Sequence, residues 1–326
     1  MPHRTDHAAM RSVASSLAVR IFSKDARLRP LFRVLLFLAV AFVAVSVADD
    51  AAASLAFLKP VRGAWLPPAM AYPLVERTLV CIVLVALVML FRARLDRRSV
   101  ASLGFSFRAP WLRLTVLGAV LGAGMQALIV AADRASGAGR LLVSGSPSSI
   151  AETLAIFVPL FFVSAIAEEL PIRGYVLQNA WEAWGFVPAI TASGVLFVLL
   201  HLGNPHSHAQ LGLTVAGLAG YSVWTGLSLY WTRSLWVAFG SHVAWNVFEG
   251  PVFGFPVSGF EFPGKTVFAA NVGGPTWFTG GGFGPEAGVS GLAAMAIGLA
   301  LLYLCFRLGA FARVPDERES YAKGRT

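Results

Sequence analysis

The chain has 326 residues, 56% of them hydrophobic and 13% charged, with a mean hydropathy of +0.68. Soluble domains carry about a quarter charged residues, so this composition cannot cover a water-soluble globule, and the same apolar content excludes disorder. Two cysteines exclude a disulfide scaffold, while the net charge of +9 raises nucleic acid as a partner, a reading that turns on where the charges sit.

Residues 1–30 are basic and weakly apolar, and the run that follows is too long for the core of a cleavable signal. About 20 mostly apolar residues cross a bilayer. Such runs are expected at 31–48, 74–91, 112–132, 150–168, 187–203, 210–231, 235–249 and 290–306. The third holds Gly118-Ala-Val-Leu-Gly122, and the sixth spaces Gly212, Ala216 and Gly220 in the same way. Small residues at that interval let helices approach closely. Cys81 and Cys305 lie inside runs and read as small buried hydrophobes. From Gly250 to Gly288, 16 of 39 residues are Gly or Pro, mixed with aromatics such as Phe253, Phe260 and Trp277, which predicts a structured outer cap. No internal repeat supports an inverted-repeat transporter.

The basic residues divide by side. Segments 1–33, 92–113 and 307–325, with Arg173 and Arg233, hold twenty of the 26; Lys59, Arg62, Arg77, Arg134, Arg140 and Lys265 make up the other six. That bias predicts a multi-pass protein of the cell membrane with both termini cytoplasmic. It leaves no basic, aromatic-interleaved surface for nucleic acid, so none is expected as a partner. The fold class expected is all-α: a polytopic membrane protein of about eight transmembrane helices around a buried polar catalytic cavity.

Ionisable groups inside apolar runs are costly unless paired or hydrated, and so point to function. Of 17 acidic residues, only Glu168 and Glu169 fall deep within a predicted span. Glu169 and Arg173 are four apart on a helix and can neutralise each other, which reads as a structural ion pair. Glu168 lies about 100° around the helix and must find its partner elsewhere. Pro171 cannot donate to the Ala167 carbonyl, so a kink is expected beside the pair. Glu168 precedes Gly185 by 17 residues and His201 follows it by 16. In a hairpin turning at Gly185 the two meet at matching depth if the fourth helix runs from about 150 to 181. His242 and Asn246 share one face of the seventh run; the bland reading is interhelical glue, the functional one a pair of donors aimed at an oxyanion. Glu249 continues that face at the helix end, where it reads as an outer-rim residue.

Two mechanisms fit these groups. In the preferred one Glu168 and His201 activate water, His242 and Asn246 hold the developing oxyanion, and no cofactor is required. In the other, Glu168, His201 and His242 ligate zinc as a His₂Glu set with an open fourth position. No HExxH spacing argues specifically for the metal.

Glu168-Glu169-x-x-x-Arg173, Phe197-x-x-x-His201 and His242-x-x-x-Asn246, in that order, resemble the CPBP family of intramembrane proteases, the group of type II CAAX prenyl endopeptidases and Abi-type immunity proteins. The resemblance covers roughly 150–250 and extends to Gly174, Leu202-Gly-Asn204-Pro205 and Trp245. It implies a helical core around a water-filled cavity, with Glu168 and His201 on the water, His242 and Asn246 on the oxyanion, and Glu169 with Arg173 shaping the site. Family members are described both as metalloproteases and as glutamate proteases. Pro171 departs from the pattern, where a bulky apolar residue is usual. The organisation expected is a basic cytoplasmic segment (1–30), N-terminal transmembrane helices (31–148), a CAAX-protease-like catalytic core (149–250), a Gly/Pro-rich external loop (251–289), and a last helix with a basic cytoplasmic tail (290–326). Expected partners are a peptide or protein substrate at the membrane, CAAX-type or other, and the lipid bilayer. The competing functions are a non-enzymatic binding or immunity protein on the same fold and a proton-coupled transporter.

Overall fold

The computed structural model describes residues 23–24, 27–56, 68–108, 110–261 and 264–311. Most of the basic N-terminal segment, the basic tail beyond 311, and Lys59 with Arg62 lie outside the described residues. Helices form at each apolar run: α1 (Pro30–Ala56), α2 (Pro68–Arg94), α3 (Trp111–Ala135), α4 (Pro147–Glu169), α5 (Leu177–Trp184), α6 (Phe186–His201), α7 (Leu211–Thr232), α8 (Trp236–Val247) and α9 (Val289–Arg307).

Among the described residues, five stretches are long and apolar enough to cross a bilayer: Pro30–Ser54, Tyr72–Arg94, Trp111–Ala135, Pro147–Trp184 and Val289–Arg307. The eight-span expectation meets this coarser result for physical reasons. α6 has 16 residues and α8 only 12, while α7 dilutes its leucines with Gly, Thr, Ser and Trp. The chain is a mostly helical membrane protein.

The fourth helical run spans Pro147–Trp184, close to the expected 150–181, and is not uniform. Ser146 caps it, its hydroxyl accepting from the Ser149 amide at 3.3 Å, with Pro147 in the first turn, where its missing donor costs nothing. A π-helical segment, Leu170–Val176, joins α4 to α5. Its wider turn takes up the donor that Pro171 lacks, so the helical path continues to Trp184. Gly185 ends it at φ 83°, a backbone that favours glycine, and α6 turns back from there.

α3 and α8 lie side by side at backbone distance. A Cβ on Gly118, Gly122 or Gly240 would strike the carbonyl oxygen of Val237, Ser241 or Thr115 respectively. The spacing in α7 works differently from the expectation. Gly212 faces open space and Gly220 only the Met295 sulfur at 3.6 Å, whereas Gly217 abuts the carbonyl of Glu286. The element packed there is a returning loop rather than a helix, so helical spacing does not find it.

The two ends of the bundle are built differently. At one end β1 (Gly139–Val143) pairs antiparallel with β2 (Phe268–Val272), tying the α3–α4 connection to the 250–288 loop. At the other end Asp96, fully buried, takes Arg33 and Arg92 at 2.8 Å each, the Tyr175 hydroxyl at 3.2 Å and the Asn179 amide at 3.3 Å. Glu182 joins Arg33 and Arg98 beside it. Acidic burial is therefore wider than the sequence suggested: Asp96, Asp133 and Glu249 are enclosed as well as Glu169. Both cysteines are free.

Candidate active site

Glu168 and Glu169 reach the middle of the bundle on the last turn of α4, just before the π-helical segment. The hairpin at Gly185 carries His201 back to Glu168, as the matching spacings require. Its Nε2 lies 3.8 Å from Glu168 Oε2. α8 brings His242 to the same oxygen, its Nε2 also at 3.8 Å. Both separations are too long for a direct hydrogen bond.

The far side of each ring is held. His201 Nδ1 lies 2.8 Å from the Phe197 carbonyl, which can only accept, so Nδ1 carries the proton and Nε2 is presented to Glu168. His242 Nδ1 donates to Glu169 Oε1 at 2.9 Å. Glu169 is also 3.5 Å from Arg173 Nη1. The expected Glu169–Arg173 pair thus exists, but the histidine is its shorter partner, so Glu169 orients an imidazole as well as balancing a charge. Arg173 is fully buried, and its guanidinium stacks 4.2 Å above the Phe197 ring. That ring in turn packs 4.3 Å from His201. Asn246 lies one turn beyond His242 and lines the same cavity.

The cavity is about 400 Å³. Glu168, His201, His242 and Asn246 line it together, while Glu169 and Arg173 stand behind the histidines. Glu249 corrects the outer-rim expectation: it is fully buried, because the polypeptide after α8 turns inward and covers it. The loop also supplies groups that the sequence did not single out. Glu286 lines the cavity, and the Ser258 hydroxyl donates to its Oε2 at 2.8 Å. Burial holds the Glu286 carboxyl above the ordinary carboxylate range, with the Ser258 bond opposing that rise. Tyr221 of α7 packs 5.3 Å from the His242 ring and lines the cavity. Tyr72, Glu76 and Arg77 enter from the start of α2.

Among the described residues no group of three or more His, Cys, Asp or Glu side chains is arranged to hold a metal ion.

Residues 150–248 match the family model described as type II CAAX prenyl endopeptidase Rce1-like. This segment is an Rce1-like domain. It runs from α4 to the end of α8 and contains all seven residues of the three motifs. No curated protein and no solved structure matches the chain. The Rce1-like match implies a peptidase with a peptide substrate at the membrane. Glu286, Ser258 and Arg77, which also line it, fall outside or at the edge of the match: Arg77 precedes the Rce1-like domain, and the other two follow it.

Proposed function

We propose that the protein is an intramembrane endopeptidase that cleaves membrane-associated peptides with water activated by Glu168 and His201. The observation that carries this reading is the convergence of two imidazole Nε2 atoms on one carboxylate oxygen, each at 3.8 Å and each ring fixed through its other nitrogen.

A water between Glu168 and His201 donates one hydrogen to Oε2 and the other to Nε2, leaving a lone pair for the scissile carbonyl carbon. As the carbon–oxygen bond forms, Glu168 takes the proton and the carbonyl becomes an oxyanion. Asn246 and a His242 protonated on both nitrogens donate to that oxyanion, with Glu169 as the countercharge at Nδ1. Glu168 then returns its proton to the amide nitrogen as the carbon–nitrogen bond breaks. Glu169 and Arg173 position His242 and, through Phe197, His201. No step runs through metal. The topology that accompanies this reading is eight membrane passes with both termini cytoplasmic, the short α6 and α8 crossing within the bundle.

The test is cleavage of a reporter peptide by the purified full-length protein. Glu168→Gln and His201→Ala each abolish it while the protein still purifies as a folded species; equal cleavage by both variants overturns the reading. Metal analysis of a chelator-free preparation, repeated on His242→Ala, separates the alternatives. Stoichiometric zinc that is lost in the variant would favour the His₂Glu reading over activation by Glu168 and His201 alone.

A further inference from the structure

We infer that the cavity opens on the face of the membrane away from the cytoplasm, and that its substrate is a peptide segment presented at that outer surface. The substrate half of this inference rests on the peptidase reading; the sidedness rests on geometry and charge.

The cavity is one-sided. α2 lines it only with residues in 72–77, α4 only with residues in 157–168, α7 only with residues in 217–221, and α9 only with Met295. α2, α4, α7 and α9 begin at the end that carries the β1–β2 ribbon; α2, α7 and α9 take part only with their nearer portions, and α4 with its second half, the middle of the helical run Pro147–Trp184. α6 and α8 run the opposite way and contribute only from 197 and 242 onward. The loop closes over the same end through Val257, Ser258 and Glu286. Tyr72, Phe260 and Glu261 are exposed and form the rim.

Among the described residues the far end is cross-linked instead. Arg33, Arg92, Asp96 and Glu182 knit α1, α2 and α5 together there, and Arg233 stacks 4.6 Å over Trp181. That closed end belongs to the segments that hold twenty of the 26 basic residues; the rim end belongs to those with six. Connections rich in Lys and Arg stay in the cytoplasm, so the rim faces out.

The occupant follows from the walls. Phe157, Leu160 and Phe161 present an apolar side to whatever enters, and Glu76, Arg77 and Glu261 add charged groups to the lining. An extended peptide with an apolar stretch at the cleavage point, entering from the outer surface, suits this channel. A C-terminal tail confined to the cytoplasm meets only the closed end.

The test uses the full chain in intact cells. In a background carrying Cys81→Ser and Cys305→Ser, single cysteines are placed at the exposed positions Glu261 and Lys265 on the rim end and Ser99 on the closed end. A membrane-impermeant maleimide should label Glu261→Cys and Lys265→Cys directly, and Ser99→Cys only after permeabilisation. Lys265→Cys keeps the test decisive if Glu261→Cys does not fold. The reverse pattern, or labelling of both ends in intact cells, overturns the inference. A reporter peptide tethered to either face should then be cleaved on the outer face alone, and cleavage only on the inner face overturns the inference too. Outward labelling with neither reporter cleaved overturns the peptidase reading and leaves the sidedness standing.

Discussion

Asp96 and Glu168 are both carboxylates placed among apolar helices, and the protein treats them in opposite ways. Asp96 has four partners between 2.8 and 3.3 Å and no exposure. Glu168 keeps 22% of its side chain exposed and holds both histidines at 3.8 Å. The first arrangement repays the desolvation of a buried charge, so it fastens α1, α2 and the end of the fourth helical run. The second leaves one carboxylate oxygen free for a third body. A saturated carboxylate holds the fold, whereas one kept just short of its neighbours is available for chemistry.

Breaking the open site should cost the most. Glu168→Gln is expected to lower cleavage by about 10²–10⁴-fold, the usual worth of a general base, with thermal stability in detergent unchanged or raised. A variant that unfolds instead would make Glu168 another Asp96. Asp96→Ala is the converse. It strands Arg33 and Arg92 in the interior and should cost about 3–5 kcal/mol of stability, read by denaturant titration, while cleavage per folded molecule persists. Asn246→Ala removes one donor to the oxyanion. A fall of about 10²–10³ in kcat with little change in KM is expected; a change confined to KM would make Asn246 a binding group.

The smallest effect concerns pH. Folding raises the Glu286 carboxyl above its ordinary value of 4.5. Folding therefore favours its protonated form, and that contribution is complete below the ordinary value and is lost as pH rises through the folded one. Glu286→Gln, which never ionises, should match the parent in Tm near about pH 4 and exceed it increasingly towards about pH 8. A constant difference across that range would remove Glu286 titration as the cause.

The motif residues were legible because charges and amides stand out in apolar helices. Glu168 and His201 met because near-equal spacing about Gly185 is a statement about depth, which one sequence can carry. The second partner of Glu169 was not legible, since α4 and α8 are joined only by tertiary packing. Ser258 and Glu286 lie in a Gly/Pro-rich loop, where a polar residue looks like any solvated one. Glu249 was misread for the same reason: nothing in its own segment tells that the chain folds back to cover it. Asp96 follows a helix end among arginines, where sequence cannot tell a buried cluster from a wetted one.

The π-helical segment 170–176 lies between two sets of contacts: Glu168 and Glu169 on the histidines before it, and Tyr175 and Asn179 on Asp96 within and after it. It therefore sets the rotational phase between them. Each residue of an α-helix advances the side chains by about 100°. Deleting one residue other than Arg173 or Tyr175 from this turn would keep every interacting group in the chain, yet leave either the carboxylates or the anchor facing the wrong neighbour. The wide turn acts as a coupling between two gears, and its length is constrained more tightly than the identity of most residues within it.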